Sequence, residues 1–425
     1  MQAGDGGICR IKLFGGQLSS RQARAIAEAA TACASGVLEL TNRSNLQIRG
    51  VQAGAEAALI AQLLAAGLGP RHPAADDVRN LLLSPAAGLD PDALLDSRPL
   101  AAQLLSLLED SPELHALSAK FALQLDGGES RAMLQHPHDL WLSALPGDPQ
   151  LLAFGLAGCP SEAPLAAVPV EHAVALVQGV LRLFLELAGP AHSRMRHLLS
   201  ELPAADFIDQ LQARLPFPLL RDTAITDWRR SEVACSAPIG IIAQQQAGLR
   251  MVAAGSRLGR ISASQLIALA DLAEQQGDAS LRLTPWQGLL LPNIPAAQSP
   301  QVLAALAALN LLTEPTEPLT RIIACTGSAA CVKGLADCKA DALLVAARLR
   351  ASSARPQIHL TGCPRSCAAA HVAPFTLLAQ AGGRYSLYKQ APDSPGFGQL
   401  LAPSISIEQA GDWFAAASPA GIPHA

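Results

Sequence analysis

The chain reads as an α+β protein made of two pseudo-symmetric halves, and three observations lead there. A strand–helix–strand–strand–helix order near the N-terminus returns with an offset of 243 residues: Ser19 matches Ser262, Gln22 matches Gln265, and Leu40-Thr41 matches Leu283-Thr284. Each copy is followed by a related module that opens on an apolar run, passes through helix and closes on a strand with a glycine turn. Only the second of these modules carries paired cysteines. Two copies of a unit this long mean a duplicated domain, since a solenoid needs several short repeats.

The elements follow in order. Ile8-Cys-Arg-Ile-Lys-Leu-Phe14 alternates apolar with polar and predicts a strand closed by Gly15-Gly16. Ser19 and Ser20 are N-cap candidates for an alanine-rich helix over 21–33. Val37-Leu-Glu-Leu40 and Leu46-Gln-Ile48 are strands around the polar turn 42–45, and residues 56–66 form a helix ended by Gly67 and Gly69. Its counterpart in the second copy covers 302–312. The following modules open on Arg79-Asn-Leu-Leu-Leu-Ser-Pro85 and on Arg321-Ile-Ile-Ala-Cys325. Helices are expected over 100–108 and 335–349, then strands at Phe121-Ala-Leu-Gln-Leu-Asp-Gly-Gly128 and Gln357-Ile-His-Leu-Thr-Gly-Cys363. The stretch 203–238, with Leu215-Pro-Phe-Pro218, is expected to link the halves.

Composition bounds the function. The 425 residues are half hydrophobic, 16% charged and carry a net charge of −4, so two or three globular domains are expected. A nucleic-acid partner would want a basic surface, which this balance does not offer. No basic-then-apolar leader opens the sequence. The most apolar stretch, 170–188, contains Glu171, Arg182 and Glu186, so it reads as a buried helix and not a membrane span. Nine cysteines in such a chain imply a reducing compartment, and a cytoplasmic location is expected.

Four of those cysteines form two tight pairs, Cys325-Thr-Gly-Ser-Ala-Ala-Cys331 and Cys363-Pro-Arg-Ser-Cys367. Soft thiolates gathered this way suit zinc or an iron–sulfur cluster. The five-residue gap is wide for a zinc pair, and a [4Fe–4S] cube fits better. Cys338 is expected to be a core thiol, and Cys9, Cys33, Cys159 and Cys235 small buried residues. In the first half, Arg43 in its turn, Arg79 and Lys120 occupy corresponding junctions, where they could face the cluster and clamp a polyanion. His136-Pro-His138 could present two imidazoles to one ion, although a solvated hairpin tip is the commoner use of such a sequence. His359 lies close enough to Cys363 to neighbour the cluster or simply to pack. No Gly-x-Gly-x-x-Gly follows a strand, and no Walker loop or Gly-x-Ser-x-Gly elbow is present, so electrons would arrive from outside.

Cysteine spacing, duplication and cations together resemble the nitrite and sulfite reductase family. The resemblance implies a pseudo-symmetric nitrite/sulfite reductase-like fold with ferredoxin-like half-domains at 1–70 and 235–315, followed by modules at 75–225 and 318–418. It implies a [4Fe–4S] cluster on Cys325, Cys331, Cys363 and Cys367, with Cys367 bridging to a sirohaem iron. It places Arg43, Asn45, Arg79 and Lys120 on the ligand side. Ala122 stands where assimilatory sulfite reductases carry a second lysine for proton delivery.

Further motifs resemble the precorrin-3B synthase branch of that family: Leu40-Thr-Asn-Arg-Ser-Asn-Leu-Gln-Ile-Arg-Gly-Val51, Ser84-Pro-Ala-Ala-Gly-Leu-Asp90 and Leu117-Ser-Ala-Lys-Phe121. This second resemblance implies a cobalamin-pathway monooxygenase. It would use O2 to hydroxylate precorrin-3A at C20 with ring A lactone formation, fed by an NADH-linked reductase or a ferredoxin-like donor. A non-haem iron for oxygen is also implied; no motif places it, and His136 with His138 is the only candidate pair. A sirohaem sulfite or nitrite reductase is the alternative, and a non-catalytic tetrapyrrole-binding or electron-transfer protein the third reading.

Overall fold

The computed structural model describes residues 2–231, 237–391 and 394–416, so Cys235 lies outside the described residues. Four five-stranded sheets make two matched pairs. The first is antiparallel, in the order Gln2–Ala3, Gly6–Ile11, Leu46–Val51, Val37–Leu40, Arg260–Ser262. Its counterpart runs Gly240–Ala243, Leu249–Gly255, Gly288–Pro295, Ser280–Leu283, Gln17–Ser19. The last strand of each sheet comes from the other half. Arg260–Ser262 pairs with Val37–Leu40, and Gln17–Ser19 with Ser280–Leu283. The half-domains have traded edge strands across a pseudo-twofold axis.

Local chemistry explains why the copies match. Ser19 accepts from the Gln22 amide while Gln22 reaches back to the Ser19 backbone, and Ser262 with Gln265 repeats this capping box. The helices they start, Ser20–Cys33 and Ala263–Gln276, pack on each other through small residues such as Ala23, Ala27, Ala30 and Ala270. One apolar core therefore serves both half-domains. Gly16 must be glycine because its φ is +70° and a Cβ there would lie 2.4 Å from the Leu283 carbonyl oxygen.

The two modules share another topology. Leu81–Leu83, Leu123–Asp126 and His138–Leu145 run parallel, followed by antiparallel Asp148–Gly158 and Ala166–Pro169. In the second module Ile322–Ala324, Ile358–Thr361 and Phe375–Gln380 run parallel, followed by antiparallel Arg384–Lys389 and Gln399–Ser406. Parallel strands need crossovers, supplied here by the helices Arg98–Asp110 and Cys338–Arg350. Chain reversals thus fall just after Leu83, Asp126, Ala324 and Thr361, and the paired cysteines follow the last two.

Two expectations need correcting. The stretch 203–238 is not a bare linker, because Ala204–Gln212 is an amphipathic helix. It buries Phe207, Ile208 and Leu211 in the first module's core, joined by Phe217 and Leu219. The prolines mark only the turn after that helix. Nor is His136-Pro-His138 a solvated hairpin tip: both imidazoles are buried, and His138 opens the middle strand of its sheet. Among the described residues, no helix is long and apolar enough to cross a membrane.

Candidate functional site

The cysteine loops grow out of adjacent parallel strands. Ile322–Ala324 ends at Cys325, whose amide donates to the Leu360 carbonyl (3.1 Å), and Ile358–Thr361 ends at Gly362-Cys363. The Gly362 amide donates to Cys325 Sγ (3.1 Å), and the Thr361 hydroxyl to the Cys363 carbonyl (2.8 Å). Gly327 lets the loop fold under itself: its φ is +66°, and a Cβ would meet the Ala336 carbonyl oxygen at 2.2 Å.

Cys331 and Cys367 are exposed, while Cys325 and Cys363 are half-buried. Burial, and then the negative charges of Cys363, Cys325 and Cys331, push the Cys367 thiol upward, so the four sulfurs share one field. A hydrogen bond from Cys338 holds Cys325 below the ordinary thiol value, helped by the Gly362 and Gly327 amides. Cys338 is a core thiol and not a fifth member of the loop set. Among the described residues no three His, Cys, Asp or Glu side chains converge on a point that could hold a single metal ion. Cysteine thiols on two adjacent loops are of the chemical kind that ligates polynuclear clusters.

Opposite these loops lies the turn 41–45. Thr41 shapes it: its hydroxyl accepts from the amides of Arg43 (3.3 Å) and Asn45 (3.1 Å). Asn45 is buried and its side chain accepts from the Leu13 amide (2.8 Å), which holds the turn. The Asn42 side chain crosses to the other half and donates to the Ala368 carbonyl (3.3 Å), one residue beyond Cys367. The Arg43 turn therefore sits against the Cys363–Cys367 loop.

Arg43 has no hydrogen-bonded acceptor for its guanidinium among the described residues. Burial, then the charges of Arg194 and Arg10, lower its pKa, and Asp139 only partly offsets them. Such an uncompensated cationic spot is an anion site in waiting. Arg194 was not foreseen from sequence. Its Nε donates to both oxygens of buried Asp139 (2.9 and 2.7 Å), which also accepts from the amides of Ala122 and Met195 (both 2.8 Å). An arginine thus stands beside Ala122.

The other two predicted cations behave differently. Arg79 is tied to Asp76 (2.9 Å) and Glu109 (3.5 Å), so its charge is already answered. Lys120 is exposed and forms no ion pair among the described residues. Lys12, also missed, is buried, and burial brings it down to about 8 in spite of Asp76 and Asp77.

A cavity of about 330 Å³ opens beside the two facing loops. Asn42 and Ala368 line it, as do Met133, His136, Trp286 and His371. Trp286 is the pseudo-symmetric mate of Arg43, so one turn presents a cation and its repeat an indole. His136 and His138 do not converge on an ion: the Nδ1 of His138 faces the His136 carbonyl (2.7 Å), and the His136 ring packs on His371 (5.1 Å between centroids). The expected non-haem iron pair is therefore withdrawn.

The two halves are clamped by Glu39, which is buried among four partners. Arg260 Nε (2.8 Å), Arg49 Nη1 (3.2 Å) and Lys339 Nζ (3.6 Å) surround its carboxylate, and the Thr326 hydroxyl, next to Cys325, donates to it (3.3 Å). Burial opposes ionisation, but the charges of Lys339, Arg49 and Arg260 outweigh it and hold Glu39 below the usual carboxylate range.

Known proteins share this plan. The nitrite/sulfite reductase ferredoxin-like half domain matches residues 1–66 and 242–309, and the nitrite and sulphite reductase 4Fe-4S domain matches residues 74–219. That second match covers the first module, whose only cysteine is Cys159; the paired cysteines lie in the module of the same topology that follows the second half-domain. The chain is 30% identical to the ferredoxin–nitrite reductase of Synechococcus elongatus over 87% of its own length and 76% of the relative's. It is 30% identical to the chloroplastic ferredoxin–nitrite reductase of Oryza sativa subsp. japonica over 86% of its own length, and spans 65% of that protein. The solved structure of the Mycobacterium tuberculosis NirA protein superposes with a TM-score of 0.79 at 22% identity, covering 96% of this chain and 79% of that one.

These relatives overturn the expectation of an oxygen-dependent monooxygenase acting on precorrin-3A in cobalamin synthesis. Proteins similar along nearly the whole chain are named as ferredoxin-dependent reductases, so precorrin-3A and O2 are withdrawn as substrates. The motifs behind that expectation serve the shared fold: Thr41 and Asn45 build the turn, and Ser84 joins the Arg131 carbonyl to the Ala86 amide. With two half-domains, two modules and relatives covering most of its length, the chain belongs to the nitrite/sulfite reductase family.

Proposed function

We propose that this protein is a sirohaem- and [4Fe–4S]-dependent reductase of a small oxyanion, with nitrite as the preferred substrate and a ferredoxin-type protein as donor. The observation that carries the reading is the contact between the two halves: Asn42 on Ala368 sets the unneutralised Arg43 against the cysteine loops. In this reading Cys325, Cys331, Cys363 and Cys367 would hold the cube, with the tetrapyrrole beside Cys367. Bound there, the pair would supply electrons singly to a substrate at the tetrapyrrole iron.

The chain's own residues do the rest. Arg43 draws the anion in and balances its charge, while Asp139 takes up the charge of Arg194 beside it. Lys120, exposed and without an ion pair among the described residues, suits one of the macrocycle's carboxylates, whereas Arg79 is already held by Asp76 and Glu109. Trp286 and Met133 offer an apolar wall. Nitrite is preferred over sulfite because Ala122 supplies no second lysine, and a monoanion asks for fewer cations. Segments 1–70, 75–225, 235–315 and 318–418 act as the four units, and a cytoplasmic location fits unpaired, metal-binding thiols.

The test is the holoprotein prepared without oxygen. Expected are the absorption bands of sirohaem coupled to a cluster, and ammonium formation from nitrite with reduced ferredoxin at a higher kcat/KM than sulfide formation from sulfite. A protein that binds iron and sulfide but no tetrapyrrole, and reduces neither anion, would refute the reading.

A further inference from the structure

Beside the cavity lie polar groups that the proposed site does not use, of which His371 lines the wall. His359 lies on Ile358–Thr361, in register with Ile323 on one side and Thr376 on the other. Ile322, Ile358 and Phe375 point into the module's core, so the alternation turns Ile323, His359 and Thr376 toward the opposite face. The cavity is lined by Ile322, Ile323, Gln357 and Ile358 at the start of these strands, with His359 and Thr376 outside its lining. His359 and Thr376 are fully buried, yet among the described residues His359 Nε2 and Thr376 Oγ1 have no hydrogen-bond partner, and neither does the buried Nδ1 of His371. An unpaired buried polar atom costs roughly 1–3 kcal/mol, and nature usually answers it with internal water. His359 and Thr376 are register neighbours on one face of adjacent strands, and His371 is close enough to act on His359, so these groups can share the two to four partners that a buried water needs.

The imidazoles also form a row. His371 packs on His136, and the His136 ring is hydrogen-bonded to the Asn42 backbone, one residue before Arg43. The row starts at the anion face and ends on the strand that leads into Cys363. Burial lowers all three pKa values, His359 to about 4, with the charge of His371 adding to the effect on His136 and His359. Neutral rings of this kind can pass a proton on without trapping it.

We propose that His359, His371 and His136, with Thr376, hold an internal water chain that carries protons to the Arg43 face. This deepens the reductase reading and rests on it. Converting nitrite to ammonium takes six electrons and eight protons and releases two waters. The donor and cluster supply the electrons, and the chain brings protons from solvent through the cavity. Proton delivery then has a route that does not need a lysine at position 122.

Two measurements test this. A high-resolution crystal structure should show ordered water bridging His359 Nε2, Thr376 Oγ1 and His371 Nδ1; closure of these atoms onto protein partners would overturn the proposal whatever the enzyme reduces. In the holoenzyme, His371→Ala and His359→Asn should leave the absorption bands and the rate of reduction by ferredoxin unchanged. Nitrite turnover should fall about tenfold or more, with a larger solvent deuterium isotope effect and partial rescue of His371→Ala by added imidazole. Wild-type turnover and isotope effect in both variants would also overturn it. Wild-type protein that reduces neither anion speaks against the reductase reading and leaves the crystallographic test standing.

Discussion

At Arg43 and Glu39, two charged side chains of opposite fate sit within one strand–turn–strand unit. Arg43 is left without a carboxylate partner, so its cost is recovered only when an anion binds. Arg43→Ala should therefore weaken nitrite binding about tenfold or more, since a charge-assisted hydrogen bond contributes about 1.5–3 kcal/mol. Cluster absorption should stay unchanged; its loss instead would mean that Arg43 serves the cysteine loops. Glu39 is the reverse case, a buried carboxylate answered by Arg49, Arg260 and Lys339. Glu39→Gln strands those cations and should cost roughly 3–5 kcal/mol in denaturant unfolding. Because Thr326 leans on the same carboxylate, the variant should also lose iron faster to a chelator. The cysteine pairs stood out in the sequence by their spacing, and Arg43 by its place in the polar turn and the family resemblance. Arg194, Lys12 and the histidine row were not, because each gains meaning only from a neighbour more than fifty residues away or from burial.

Among the elements, the helix starts are the features sequence reads best. Ser19 was visible as a cap candidate and Ser262 as its repeat position, and both form complete capping boxes. Ser19→Ala and Ser262→Ala should each cost about 1 kcal/mol, read from the denaturation midpoint, and a much smaller loss at one site would break the symmetry of the argument. Strand ends were harder. The loop after Leu123–Asp126 corresponds to the cysteine loop after Ile358–Thr361, but in the first module it is filled by polar groups. Asp126 takes the Ser143 hydroxyl (2.6 Å) and Arg230 Nε (2.9 Å), and Glu129 takes the Gly127 amide (2.8 Å). Burial, then the charge of Asp126, raises Glu129 to about 8. A carboxyl raised on folding adds stability below its unfolded pKa and loses it as pH climbs through the folded value. The protein should therefore lose stability between about pH 5 and pH 8, and Glu129→Gln should remove more than about 1 kcal/mol of that loss. An unchanged pH slope in the variant would show that the proton is not held there.

For the whole molecule, the duplication was legible but the exchange of edge strands was not. Both half-domains keep the same strand–helix order whether the third strand pairs at home or across the axis, and only the fold decides. Gly16 is where that decision is enforced, so Gly16→Ala should destabilise both half-domains together by about 2 kcal/mol or more, seen as one shifted unfolding transition. Two separate transitions would mean that the halves are energetically independent.

The traded strands also order events during synthesis. Val37–Leu40 is made early, but its neighbour Arg260–Ser262 emerges from the ribosome only after more than two hundred further residues. Until then the first sheet has an open edge of unpaired amides and carbonyls, the kind of surface on which nascent chains stick to one another. A fragment ending before residue 260 should aggregate or recruit chaperones, while adding the segment through Ser262 should quiet it. The enzyme's doubled architecture thus has a cost in time, met while the chain waits for its other half.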